Sequence, residues 1–377
     1  MKRQSNVLKA KVIGAGSIGN HLSHALRALG HDVTLCDIDP AALERTKNQI
    51  YPSRYGCWDE AIKLCRMPEA PLGGFDLIVI GTPPDSHIQL ASQALEEEPR
   101  AILIEKPVCT PALEGADALV SKARAKGCQL FVGYDHVAGL AAMRVCELID
   151  TGEIGELQTL DVEFREHWAG IFAAHPWLAG PSDSYLGFWR RGGGAAGEHS
   201  HGLNLWQHFA SRLGQGRVRK VVATLDYVFA GGAEYDRLCL VNLVAEAGLV
   251  GRVVQDVVTW PPRKWVRLQG TLGFIEWHCS YDVGKDAVIF GARGREIQVE
   301  TFAKTRPDDF ILELKHIIAV LQGDFAATDL SAERGLETML VVAAAHRSSQ
   351  QGRSVVIDWQ RGYSTAALTN EEQRETV

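Results

Sequence analysis

The sequence predicts an α/β protein of two domains, the first built on a parallel sheet and the second an α/β domain with a large, mostly antiparallel open sheet. Three observations predict it. A chain of 377 residues exceeds what one hydrophobic core usually organises, domains of about 150 residues being the norm. Between residues 8 and 132 short apolar strands alternate with helical stretches, the βαβ rhythm of a parallel sheet. After the turn at 151–156 the texture changes to closely spaced strands, close enough for antiparallel pairing.

The elements follow in order. Strands are expected at 10–13, 33–36, 77–80, 101–104 and 129–132, mostly as unbroken apolar runs of the kind buried on both faces. An amphipathic helix over 20–29 follows the first strand, and a helix over 138–150 closes this half. Strands at 157–164, 221–227, 239–246, 251–258, 265–269, 274–278 and 287–290 come next. Helices at 308–321 and 331–350 and a last strand at 355–357 complete the second domain, and the polar residues from Asn370 predict a loose end. The expected domains are 1–136 and 137–360, with a tail at 361–377.

Composition narrows the function. Apolar residues make up 46% and charged residues 23%, which excludes disorder and coiled coil. The 39 Lys and Arg against 46 Asp and Glu give a net charge of −7 without a basic run, which argues against a nucleic-acid partner. Eight cysteines stand at wide spacings with no CxxC pair, so they read as buried, reduced thiols and no metal is expected. The N-terminus lacks the apolar core of a signal peptide, and no run of about 18 apolar residues occurs, so no membrane span and a cytoplasmic location are expected.

The strongest motif is Gly14-Ala15-Gly16-Ser17-Ile18-Gly19, between the first strand and the first helix. Gly14 permits the tight turn, Gly16 lets backbone approach a pyrophosphate, and Gly19 lets helix and strand pack closely. The helix N-terminus would meet the phosphates with free N–H groups. Asp37 ends the second strand near the spacing of the acid that binds ribose hydroxyls, and its charge would repel a 2′-phosphate. This predicts a Rossmann dinucleotide-binding domain for NAD, with NADP less favoured. Two further segments end parallel strands, where open α/β sheets bind ligands: Thr82-Pro83-Pro84-Asp85-Ser86-His87 and Glu105-Lys106-Pro107.

Through GAGSIG, TPPDSH, EKP, the Gly133-Tyr134 strand exit and a downstream Gly192-Gly193-Gly194 run, the chain resembles the glucose-fructose oxidoreductase, inositol dehydrogenase and rhizopine-catabolism (Gfo/Idh/MocA) family over about residues 8–360. The resemblance implies an NAD-dependent dehydrogenase acting on a CH–OH group of a sugar, sugar derivative or cyclic polyol, assembled as a homodimer or homotetramer. It implies that Lys106 reaches the reacting oxygen. Gly14, Gly16, Ser17, Ile18, Gly19, Asp37, Thr82, Pro83, His87, Glu105 and Lys106 are the expected cofactor contacts.

After the glycine run, Glu198-His199-Ser200-His201 departs from the commoner family pattern, in which an acid is followed four residues later by a histidine; here that position is Gly202. Three residues apart on one helix, Glu198 and His201 would share a face, whereas His199 would not. His201 is therefore expected as the general acid/base, with Glu198 orienting it or the substrate, and Lys106 stands as the alternative base, His201 then only binding the sugar. Tyr134, Trp189, Arg190 and Asn204 are expected to contact substrate, and Asp135-His136 stands where relatives carry an Asn-Arg type of pair. An NAD-dependent glycosidase with transient redox, a noncatalytic NAD-binding sugar sensor and an aldose-aldose oxidoreductase remain open alternatives.

Overall fold

The computed structural model describes residues 7–173, 175, 177–325 and 327–371. Six parallel strands form the first sheet: β1 (Lys9–Ile13), β2 (Asp32–Asp37), β3 (Lys63–Arg66), β4 (Leu77–Ile80), β5 (Ala101–Ile104) and β6 (Gln129–Val132). Their order is β3-β2-β1-β4-β5-β6. The order reverses between β1 and β4, which opens a crevice at their carboxyl ends. β4 and β5 are buried along their whole length because helices cover both faces of a doubly wound sheet.

The helices of this half are α1 (Ser17–Ala28), α2 (Pro40–Arg45), α3 (Tyr51–Tyr55), α4 (His87–Ala94) and α5 (Ala116–Lys126). α1 starts three residues earlier than periodicity suggests, because the glycine turn itself supplies its first turn. β3 lacks a long apolar run and was not anticipated; it is a short edge strand held by backbone pairing to β2.

α6 (Leu140–Asp150) leads into the second sheet, whose strands are β7 (Leu157–Arg165), β8 (Val218–Ala230), β9 (Ala233–Ala245), β10 (Val250–Asp256), β11 (Arg263–Gly270), β12 (Gly273–Asp282), β13 (Lys285–Ala292), β14 (Gln298–Ala303), β15 (Val355–Ile357) and β16 (Leu368–Asn370). They run in the order β14-β13-β12-β11-β7-β10-β9-β8-β15-β16, antiparallel except for the β7–β10 pair. β14 and β16 were not expected from the sequence. Both are edge strands, and β16 shows that the chain up to Glu371 is no loose tail but pairs Ile357 with Leu368; residues 372–377 lie outside the described residues, as do residues 1–6.

Five helices complete the chain: α7 (Trp168–Ala173), α8 (Gly194–Glu198), α9 (His201–Arg212), α10 (Arg306–Leu321) and α11 (Ala332–Gln351). α9 packs on β7, α11 on β8 and α6 on β12 and β13. The opposite sheet face keeps Val222, Leu240 and Val250 exposed. α10 begins with a Thr305–Asp308 capping box and packs on α1, tying the second half of the chain to the first. The cysteines are all free thiols; Cys36, Cys109, Cys128 and Cys239 are buried, whereas Cys57 is exposed, contrary to the expectation of uniformly buried thiols.

Candidate active site

The glycine turn has the geometry its spacing predicts. Gly14 sits at φ +105, and a Cβ there would lie 2.7 Å from the Gly81 carbonyl oxygen; one on Gly19 would lie 1.8 Å from that of Gly14. A Cβ on Gly16 would meet nothing within 4 Å, so this glycine keeps open the space over the first turn of α1, where Ser17 and Ile18 stand. No side chain caps α1, which leaves its first N–H groups for an anion. Asp37 accepts from the Ala15 N–H at 2.7 Å and from the Asp39 N–H at 2.8 Å, fixing its carboxylate beside the turn. These residues fit a dinucleotide: the turn for the pyrophosphate, Asp37 for the ribose hydroxyls.

The neighbouring strand ends depart from expectation. His87 is fully buried, and its two ring nitrogens reach the Thr82 carbonyl at 2.7 Å and the Pro107 carbonyl at 3.0 Å. It braces the two loops that end β4 and β5. Glu105 is likewise buried beneath Gly133, where a Cβ would lie 2.6 Å from its Oε1. Burial, and next the charge of Asp135, pushes its carboxyl up to about 8. Thr82 bonds Ser86, and Pro83 remains exposed at the crevice.

Lys106 follows β5 across a cis peptide to Pro107. Its Nζ donates to the Glu198 carbonyl oxygen at 2.9 Å and lies 3.2 Å from the Glu198 carboxylate. Tyr185 donates its hydroxyl to the same carboxylate at 3.4 Å. Burial opposes the charge of Glu198, yet Lys106 and then His199 hold its carboxyl below the usual range. Burial, followed by Glu198, pushes the Tyr185 phenol well up, so it stays a donor.

The glycine run explains how Glu198 arrives there. Gly192 abuts Pro84 and Pro107, where a Cβ would come within 2.9 Å of the Pro84 ring. Gly194 sits at φ +74, and a Cβ there would lie 2.0 Å from Oδ1 of the buried Asp236. Asp236 accepts from the Ala196 N–H at 2.7 Å and so anchors the first turn of α8. Arg191 adds an ion pair to Asp85 at 2.7 Å, between the glycine-run loop and the loop after β4.

Glu198 and His201 do not share a helix face. The helix breaks at His199 and Ser200, so Glu198 closes α8 and His201 opens α9. Among the described residues no hydrogen bond or ion pair joins His201 to Glu198 or Lys106. His201 instead lies 3.7 Å from Asp135, with the His136 ring 4.7 Å away between centroids. Burial, then His136 and Lys106, hold its imidazole well below the ordinary value. Burial also lowers His199, to about 4, although Glu198 opposes that shift. Lys264 and Glu166, paired at 2.8 Å, both act on His199 through their charges.

The four residues expected to contact substrate each have protein partners. Tyr134 is buried and donates its hydroxyl to Ser200 at 3.1 Å. Trp189 stacks on His346 and donates to Glu234 at 2.9 Å, while Arg190 covers the same indole and pairs with Glu234. Asn204 is buried and donates to Thr338 at 3.1 Å, joining α9 to α11. Tyr134 thus ties the exit of β6 to the start of α9, and Asn204 ties α9 to α11. Sequence reasoning missed Tyr185 and Asp236 as partners of the Glu198 helix. Trp189 and Arg190, expected from the sequence, follow Tyr185 by four and five residues, whereas no local pattern marks Asp236.

The chain matches two family models: the oxidoreductase family with an NAD-binding Rossmann fold over residues 8–134, and the GFO/IDH/MocA C-terminal domain over residues 142–276. No curated protein sequence matches it significantly. Among solved structures it is similar to an oxidoreductase of Agrobacterium radiobacter in complex with NAD+, L-tartaric acid and magnesium, with 21% identity, 93% of this chain and 98% of that one covered, and a TM-score of 0.73. It is also similar to the WlbA dehydrogenase of Bordetella pertussis in complex with NADH and UDP-GlcNAcA, with 21% identity, coverage of 93% and 99%, and a TM-score of 0.68. An inositol dehydrogenase homolog of Azotobacter vinelandii complexed with NAD+ shares 18% identity, with coverage of 94% and 98% and a TM-score of 0.72. These likenesses extend over both sheets. Among the described residues no helix is long and apolar enough to cross a membrane.

Proposed function

The chain belongs to the GFO/IDH/MocA family of oxidoreductases, with an NAD-binding Rossmann domain, and from that premise we propose that it transfers a hydride between a secondary alcohol of a sugar, sugar derivative or cyclic polyol and the nicotinamide. The observation that carries this reading is the Lys106–Glu198 pair, held at the carboxyl end of β5, the same end of the parallel sheet at which β1 leads into the dinucleotide turn. Bound NAD supplies the hydride acceptor. The chain supplies the rest: Lys106 holds the substrate oxygen and, as an ammonium, gives its proton to that oxygen when a carbonyl is reduced; in the direction of alcohol oxidation it acts as the free amine, having first released that proton to solvent, and takes the hydroxyl proton. Glu198 keeps the ammonium aimed, and Tyr185 keeps the carboxylate aimed.

The proton role thus passes from His201, where the sequence put it, to Lys106. His201 faces Asp135 and His136, and its separation from Glu198 removes the reason for choosing it. The Glu166–Lys264 pair and His199 offer donors and acceptors suited to a polyhydroxylated ligand. One of the similar structures holds UDP-GlcNAcA, a nucleotide-linked sugar, and another is named an inositol dehydrogenase homolog. The exposed face bearing Val222, Leu240 and Val250 supports assembly as a homodimer or homotetramer.

The test is NADH formation at 340 nm across free sugars, inositols, sugar acids and nucleotide sugars, with wild type beside Lys106→Ala. Reduction of NAD+ by one of these classes, lost in the variant, supports the reading. Turnover of a glycoside without net NADH would instead favour the glycosidase chemistry.

A further inference from the structure

Asp135, His136 and His201 come from two elements far apart in sequence and come together in the fold. One ligand atom from each can be chosen so that all three lie within 4.8 Å of one another, and Asp135 Oδ1 lies 3.7 Å from His201 Nδ1. Asp135 Oδ1, His136 Nδ1 and His201 Nδ1 are buried and have no hydrogen-bond partner. Asp135 is 8% exposed, so its unpartnered oxygen is costly unless something compensates it.

The surroundings sharpen the imbalance. Three lysines near these residues are held by carboxylates: Lys106 by Glu198, Lys264 by Glu166, and Lys304 by Asp286 and Asp309 at 3.2 and 3.1 Å. Two more buried carboxyls, Glu105 beneath the β6 exit and Glu313 on α10, keep unpartnered oxygens, and α10 packs on the turn that carries Asp135 and His136. What the place lacks is a partner for the Asp135 oxygen and for the two imidazole nitrogens.

We propose that Asp135, His136 and His201 form a binding site for a divalent cation of the zinc class. Two imidazoles and one carboxylate suit zinc better than magnesium or calcium, which prefer all-oxygen sets. Three protein ligands leave a fourth position open to water or to a hydroxyl of a ligand. Around a tetrahedral ion with bonds of about 2.0–2.1 Å, ligand atoms stand roughly 3.3 Å apart, so the trio needs to close by at most about 1.5 Å. The Tyr134–Ser200 hydrogen bond holds the two elements together immediately beside the ligands, which restrains them before any ion arrives. A cavity of about 290 Å³ reaches His136, its wall shared with Trp277, Phe302 and Lys304.

The site can be tested without any assay of turnover. The full-length protein is stripped with a chelator, dialysed, and titrated with Zn2+ alone by calorimetry, then with Co2+ as a spectroscopic probe. One equivalent of Zn2+ per chain and the visible band of four-coordinate Co2+ are expected. His136→Gln and His201→Gln, each checked for native circular dichroism, should lose the Co2+ band and weaken Zn2+ binding by more than about tenfold. His278→Gln, altering a histidine that pairs with Glu276 elsewhere on the second sheet, should change neither. Absence of stoichiometric Zn2+ binding in the wild type overturns the proposal, as does a band that survives both His136→Gln and His201→Gln. Should either glutamine variant fail to fold, Asp135→Asn decides through the same readouts.

Discussion

Lys106 and Glu198 stand 92 positions apart, yet the Lys106 ammonium meets Glu198 twice, at the carbonyl oxygen and at the carboxylate. The lysine follows a strand of the first sheet, and the glutamate ends a five-residue helix beside the second. A double contact of this kind fixes the ammonium in direction as well as distance, which is what proton transfer to a bound oxygen requires.

Lys106→Ala should therefore leave the cofactor site intact while removing most turnover. The dinucleotide turn and Asp37 do not touch this side chain, so the dissociation constant for NADH should stay within about threefold of wild type. Loss of a positioned acid/base group predicts a fall in kcat of about two to four powers of ten. Fluorescence titration with NADH and the 340 nm assay separate the two effects.

Asp37→Ser should shift the cofactor preference toward NADP(H). Removing the carboxylate ends its repulsion of a 2′-phosphate, and a hydroxyl makes a poorer partner for the ribose. A change of roughly tenfold in the ratio of the two dissociation constants corresponds to about 1.4 kcal/mol. Tighter binding of NADPH by the wild type would refute this role for Asp37.

Gly194→Ala tests the anchoring of α8. The new Cβ would combine a left-handed backbone at φ +74 with a clash against Asp236, which bonds the Ala196 N–H. A loss of about 1–3 kcal/mol of stability is the expected scale, together with a fall in kcat, because Glu198 ends the displaced helix. Gly30→Ala provides the contrast, since φ there is +83 with nothing within 4 Å of the new atom. It should lower Tm and leave kcat unchanged.

The His208–Asp329 ion pair predicts a pH-dependent stability. Burial alone would lower His208, but the bond to Asp329 at 2.9 Å and the contact with Cys146 outweigh it and raise the imidazole to about 9. A group whose folded value is raised stabilises fully below its ordinary 6.5, and the contribution is lost as pH rises toward 9. Asp329→Asn should lower Tm clearly at pH 6 and progressively less as the pH approaches 9.5. An equal drop at both pH values would show that the pair's charge does not matter.

The sequence by itself determined the two sheets, the position of the dinucleotide turn, Asp37 and the placement of Lys106 at a strand end. Each of these follows from local rules: residue periodicity, glycine's freedom at Gly14, and the habit of parallel strands to present ligands at their carboxyl ends. The edge strands β3, β14 and β16 were not legible, because backbone pairing holds them and their side chains carry little pattern. Only the tertiary structure decided what surrounds Lys106. The break at His199 and Ser200 sends Glu198 to the lysine and His201 to Asp135 and His136, against the single-helix geometry that three-residue spacing suggests. Long-range contacts impose that division, from Asp236 on the start of α8 and from Tyr134, 66 positions away, on Ser200. Packing that joins distant segments overrides a local helical preference worth only fractions of a kcal/mol per residue.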